Sequence, residues 1–170
     1  MYYAKWFKYK KSKIELLPVL KPISLYPEFI DKIDGENKLK SNVITVIAID
    51  DNDVYFVSGL LSENTDSANQ NIINIDTEDG ILENGKSAKV ILAKAIDLSI
   101  IYKMSYDELV PKIQTSWDNM ARLPYISLKD QLKVVNWVSA NLANQSGTPK
   151  LVVIRKKRRD DSDKINGAST

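Results

Sequence analysis

The side chains in this 170-residue chain that could act on a substrate are its lysines, arginines, carboxylates and hydroxyls, because it contains neither cysteine nor histidine. Without Cys there are no disulfides, thiolate nucleophiles or Cys-based zinc sites. Without His the commonest general acid/base near neutral pH is gone, as is the commonest imidazole metal ligand. A Ser-His-Asp triad, a zincin helix and a histidine-pair ribonuclease are therefore excluded. Among what remains, one spacing suggests a reaction. Lys38, Lys40, Ser41 and Asn42 stand directly before the apolar run 43–49, and the run that follows closes on Ser58 to Ser62. In an antiparallel hairpin the start of one strand meets the end of the next, which brings Lys40 and Ser62 to the same sheet end. A cation beside a hydroxyl suits a phosphodiester: Lys40 neutralises developing phosphorane charge and Ser62 orients an oxygen. Lys38 and Ser58 accompany them as nucleic-acid contacts, and Arg122 is a reserve cation. A flanking lysine and a turn-starting serine explain the same letters without chemistry.

A second candidate surface lies at the N-terminus, where Tyr2, Tyr3, Trp6, Phe7 and Tyr9 interleave with Lys5, Lys8, Lys10 and Lys11. Lysines neutralise phosphates while aromatic faces stack on bases, so Lys5 and Lys8 suit single-stranded nucleic acid. An edge strand whose lysines guard against aggregation reads the same way. The net charge is only +2, yet it is unevenly spread. Lys21 belongs to the basic N-terminal stretch, Arg155 to Arg159 form a basic cluster, and no Lys or Arg falls between Asp50 and Glu83. The paired acids Asp50/Asp51 and Glu78/Asp79 fit turn chemistry better than catalysis. Asp50 to Asp53 brush a calcium-loop pattern, which fails for lack of the Gly at its sixth position and the Glu at its twelfth. Nor does any glycine spacing form a phosphate loop. No metal and no cofactor is predicted.

The elements that must position these residues can be read from periodicity. An opening strand is expected over 14–20, ended or bulged at Pro18 and Pro22, and then a short helix from Pro27 with Phe29, Ile30 and Ile33 inward. The β-branched run 43–49 reads as a strand covered on both faces, hairpin-paired with 54–57. A short strand follows at 72–75 and a longer one at 88–96, which Ile100 to Tyr102 extend or follow. Ser105-Tyr106-Asp107-Glu108 is a capping box opening a helix through Leu109, Ile113, Trp117 and Met120, which Pro111 should kink or delay. Ser127 opens another, with Leu128, Leu132, Val135, Trp137, Val138 and Leu142 on its apolar side and Gly147 and Pro149 beyond it. Residues 150–155 make a last strand.

Strands first and helices after them argue an α+β domain with an antiparallel or mixed sheet. A single domain is expected over 1–155, followed by a basic, mobile tail over 156–170. No apolar run approaches the roughly 20 residues that span a bilayer. Lys5 charges the N-terminus early, which disfavours a signal peptide, and a cytoplasmic protein is expected.

Within 38–145 the layout resembles the PemK/MazF-type toxin barrels and the related ToxN/AbiQ-type endoribonucleases. Gly85 to Ser99 looks like the family's late strand, a Ser-Val-Ile-Leu-type run leading into an Ile-Asp turn. Met104 to Leu109 is similar to the cap that opens its next helix, and the hairpin from residue 43 falls where the family has its central strand pair. The resemblance implies a small antiparallel SH3-like β-barrel of five to seven strands with two or three helices, paired as a homodimer. It implies metal-independent, sequence-selective cleavage of single-stranded RNA through the ribose 2′-hydroxyl, restrained by a cognate antitoxin of protein or RNA. Lys40 stands where the family places an arginine, and Ser62 where it places Thr or Ser. The family's opening Arg-Gly-Asp/Glu segment has no counterpart here, so residues 1–37 form an extension.

Overall fold

The computed structural model describes residues 16–33, 35–144 and 147–155. The N-terminal aromatic–lysine cluster with Lys5 and Lys8, and the tail 156–170, lie outside them. Among the described residues the fold is α+β, with a mostly antiparallel sheet and three α-helices. In chain order the strands are β1 (Pro22–Ser24), β2 (Val43–Asp50), β3 (Asp53–Leu60), β4 (Ile72–Asn74), β5 (Gly80–Ile81), β6 (Ser87–Ala88), β7 (Ala95–Ser105) and β8 (Lys150–Val153). The helices are α1 (Tyr106–Leu109), α2 (Trp117–Arg122) and α3 (Leu128–Leu142).

Strand pairing follows an open path, β1-β2-β3-β7-β4, with β8 lying parallel to the second half of β7 and β5–β6 forming a separate hairpin. The β2–β3 hairpin forms where expected, because its acidic tip supplies turn residues: Asp51 adopts φ 53, a left-handed conformation that Asp tolerates. Alternation then sorts the side chains between two apolar clusters. Ile44, Val46, Val54, Phe56, Tyr102 and Met104 enter one, together with Leu25, Phe29 and Leu109. Val43, Val57, Ile96, Leu98 and Ile101 enter the other, beneath Ile126 and Val134. Both faces of the sheet are covered, which is why β2 opens with four consecutive buried residues.

Three elements depart from the sequence expectation. The first strand among the described residues begins at Pro22: residues 16–20 form none, since Leu20 sits at φ 63, off the extended region, and residues 14 and 15 lie outside the described residues. The late strand starts at Ala95: residues 89–94 are irregular, and β7 instead runs on without a break to Ser105. The helix opened by Ser105 stops after four residues and passes into a 3-10 turn at Val110–Lys112. Pro111 ends it there, having no N–H to continue the ladder. A fresh cap is then needed, and Ser116 Oγ supplies it by accepting from Asn119 N at the start of α2.

Candidate functional site: the end of the β2–β3 hairpin

Residues 35–42 cross the end of the sheet before β2 begins. A 3-10 turn at Gly35–Asn37 opens the crossing, Leu39 is buried beneath it, and Lys38 and Lys40 are left facing outward. Backbone and side chain both hold Lys40 in place. Its N–H donates to Ser58 Oγ at 3.0 Å, and its Nζ meets Asp97 Oδ2 at 2.5 Å. Ser58 and Asp97 are cross-strand partners on β3 and β7, so the sheet itself sets the spacing of this trio. Next to it, Ser41 Oγ donates to Gly59 O at 2.6 Å and accepts from Val43 N at 3.1 Å, which fixes the entry into β2.

Asp97 is 4% exposed, whereas the Lys40 side chain is 50% exposed. Burial pushes the Asp97 carboxyl up. The Lys40 ammonium and the Ser99 hydroxyl and N–H outweigh it, and the carboxyl is held below its ordinary value. Ser99 contributes twice to Oδ1, its hydroxyl donating at 2.6 Å and its N–H at 2.9 Å. This turn forms where the β3–β7 ladder breaks: between the pairs Phe56↔Tyr102 and Ser58↔Asp97, Val57 alone stands opposite residues 98–101. The expanded segment re-aims Asp97 toward the crossing chain, a common use of bulges beside functional sites. Further along β7, buried Tyr102 donates from its hydroxyl to Asn37 O at 2.7 Å. Lys150 Nζ on β8 donates to Asn37 Oδ1 at 2.9 Å.

Of the residues singled out from the sequence, Lys38, Lys40 and Ser58 come together at this sheet end. Ser58 is buried, and its hydroxyl oxygen is taken by the Lys40 N–H. Ser62 lies in the exposed bend beyond β3, and the polar contacts of Lys40 go to Ser58 and Asp97. Arg122, exposed at the end of α2, lines a different cleft with Ser24, Gln114 and Asn119, and makes no ion pair among the described residues. Asp97 was missed as a site residue. Its signal is a lone carboxylate in the apolar run Ala95-Ile96-Asp97-Leu98, a place that requires a partner once the strand is buried.

Sequence reasoning missed a second constellation. Lys21, counted with the basic N-terminal stretch, is in fact 1% exposed. Its Nζ donates to Met120 O at 2.7 Å and to Glu83 Oε1 at 3.1 Å, and lies 4.2 Å from the centre of the Tyr125 ring. The Tyr125 hydroxyl donates to the same Glu83 oxygen at 2.7 Å. Among the described residues no group of His, Cys, Asp and Glu side chains is arranged to hold a metal ion.

No family model, curated protein or solved structure matches the chain. The functional reading therefore rests on residues and geometry. Among the described residues no helix is long and apolar enough to cross a membrane.

Proposed function

We propose that this chain is a metal-independent, sequence-selective endoribonuclease of a toxin–antitoxin or abortive-infection system, acting on single-stranded RNA in the cytoplasm. The observation that carries the reading is Lys40, fixed at the sheet end by Asp97 and Ser58 yet half open to solvent, with exposed Lys38 beside it in the chain. A preorganised cation is worth most where phosphorane charge develops. In the proposed step the ribose 2′-oxygen gives up its proton to solvent water and bonds to the adjacent phosphorus while the P–O5′ bond breaks and the 5′-oxygen takes a proton from solvent water. The products are a 2′,3′-cyclic phosphate and a 5′-hydroxyl end. Lys40 neutralises the non-bridging oxygens, the Ser62 hydroxyl orients one of them, and Lys38 and Arg122 hold the flanking backbone. An SH3-like barrel paired as a homodimer and restrained by a cognate antitoxin completes the proposal; of these parts only the barrel draws support from the fold, through the antiparallel β2-β3-β7 core.

The test is incubation of the full chain with a long single-stranded RNA in EDTA, with the fragment ends read. Discrete cuts leaving 5′-hydroxyl ends are expected, and they should be lost in a Lys40→Ala/Ser62→Ala variant shown to be folded. Intact RNA with the wild-type protein would overturn the nuclease reading.

One observation favours a second reading. Asp97 already sits against the Lys40 ammonium, which lowers the positive field available to a substrate. On that reading the same surface grips RNA or a protein without cleaving anything. RNA binding that falls steeply with salt while the RNA stays whole selects it, since phosphate contacts carry that dependence.

A further inference from the structure

The Lys21–Glu83–Tyr125 constellation forms the floor of a cleft of about 270 Å³ between the chain leading into β1 and the helix α2. Its walls include Leu17, Val19, Trp117, Met120 and Ala121. Lys21 and Glu83 are the charged side chains among the residues lining it, so their charges cancel. That balance disfavours a phosphate and equally a cationic ligand. Lys21 reinforces the point, because its ammonium is directed at Glu83, Met120 O and the Tyr125 ring, leaving no N–H for an incoming anion.

What the cleft offers is an acceptor. Glu83 Oε1 takes both the Lys21 and the Tyr125 hydrogen bonds, while Oε2 has no partner among the described residues and the side chain is 55% exposed. Half-buried Trp117 adds an aromatic wall that packs partly against the core. A neutral, planar ring that donates hydrogen from an amino group meets all three conditions. Single-stranded RNA presents such groups when its bases are splayed out against aromatic side chains.

We propose that this cleft is a base-selecting pocket that accepts an amino-bearing nucleobase and rejects uracil. Glu83 Oε2 accepts from the exocyclic amino group of adenine, cytosine or guanine, and Trp117 and its apolar neighbours contact the ring. Uracil offers only N3–H, flanked by two carbonyl oxygens that would face the carboxylate. The assignment of RNA as the natural ligand rests on the function proposed above, and it locates sequence selectivity away from the Lys40 end of the sheet.

Two measurements on the full chain separate this pocket from that reading. Adenosine, cytidine and uridine are titrated while the Trp117 indole resonance, assigned with Trp117→Phe, is followed. Short RNA homopolymers are titrated in parallel. Adenosine and cytidine should shift the resonance and uridine should not. The A and C homopolymers should bind about tenfold more tightly than the U homopolymer, the worth of one charge-assisted hydrogen bond. Glu83→Gln should bring the three within about twofold, by loss of that same bond. Because Glu83→Gln also removes the counter-charge of buried Lys21, Ala121→Trp serves as a second variant that fills the cleft and leaves the pair intact. It too should abolish the preference. Equal, salt-sensitive binding of all three homopolymers, with no nucleoside shift at Trp117, would overturn the pocket and leave the RNA reading standing. A nucleoside-specific shift with no RNA cleavage or RNA binding would support the pocket and overturn that reading instead.

Discussion

Lys40 carries two roles, and its replacement disturbs both. As the proposed charge stabiliser it is half exposed, while as a structural group it is the counter-ion of a buried carboxylate. Removing one partner of such a pair leaves the other uncompensated, the costly case for buried charges. Lys40→Ala should therefore lower stability at neutral pH by about 1–3 kcal/mol, the range for a charged hydrogen bond reduced by access to solvent. The sign of its pH dependence follows from Asp97. Burial raises that carboxyl's pKa, Lys40 and Ser99 more than offset the rise, and the folded value lies below the unfolded one. The pair thus contributes stability that is complete above the ordinary carboxylate range and lost as pH falls through the depressed folded value. Urea unfolding of the wild type, Lys40→Ala, Asp97→Asn and the double variant should give a coupling energy that shrinks on acidification. Independent, additive effects at neutral pH would show that the ion pair does not hold the crossing segment. Any loss of cleavage in Lys40→Ala alone has to be judged against this destabilisation, which is why Lys40→Arg, which keeps the charge, is the better partner variant.

At the scale of the element, α3 shows how a helix can be legible in its ends and misleading in its faces. Ser127 caps it as the sequence predicts, its Oγ accepting from Asp130 N at 3.1 Å. The expected apolar side, however, is divided, and the most deeply buried apolar residue of the helix, Val134, is not part of it. Val134 is buried and Trp137 and Val138 are half-buried, whereas Leu128, Leu132, Val135 and Leu142 are exposed. Both sets have helical spacing, so periodicity could not choose between them. Polar anchors decide the rotation: buried Asp130 accepts from Asp76 N at 2.7 Å, and Trp137 Nε1 donates to Gln70 O at 3.1 Å. Both partners are more than fifty residues away in sequence, beyond the reach of any local pattern. Val134→Ala should accordingly cost about 2 kcal/mol through the cavity it leaves. Leu132→Gln should change stability by no more than about 0.5 kcal/mol, as exposed substitutions do. Comparable losses from the two in thermal unfolding would mean that the exposed stripe is covered in solution. The same limit governs the rest of the chain. The β2–β3 hairpin, the short helix from Pro27 (a 3-10 helix over Pro27–Lys32), the caps at Ser105 and Ser127 and the last strand were readable because their signals are local. Where β7 begins, how Asp97 is answered and why Lys21 is buried depend on distant partners, and charge statistics placed Lys21 on the surface.

On the scale of the whole molecule, β7 is the spine to which the candidate site is tied. It pairs with β3, β4 and β8, and through Asp97 and Tyr102 it holds the segment that carries Lys38 and Lys40. Tyr102 is the deepest of these ties: it stacks on Phe56 with ring centres 5.5 Å apart and donates its hydroxyl to Asn37 O. Burial, and then the Asp97 charge, push its pKa up to about 12. Tyr125 beneath the proposed base pocket is likewise pushed up to about 12, by burial first and then by Glu83. A phenol whose folded pKa exceeds its unfolded value stabilises the fold fully below the ordinary tyrosine pKa of about 10, and that contribution disappears as pH rises through the folded value. Ionised Tyr102 could no longer donate to Asn37, so the crossing segment loses its anchor in the same pH window. Alkaline titration should therefore show Tyr102 and Tyr125 ionising late, between about pH 10 and 12, together with loss of secondary structure. Tyr102→Phe should keep the ring stack, remove one late phenol, and lower stability at neutral pH by about 1 kcal/mol for the hydrogen bond it deletes. Phenolate absorbance and far-ultraviolet circular dichroism, followed on one sample, decide the matter. If every tyrosine ionised reversibly near pH 10 with the fold intact, Tyr102 would not be sealed in the core. The clamp between β7 and the segment bearing Lys40 would then be looser than its hydrogen bonds describe.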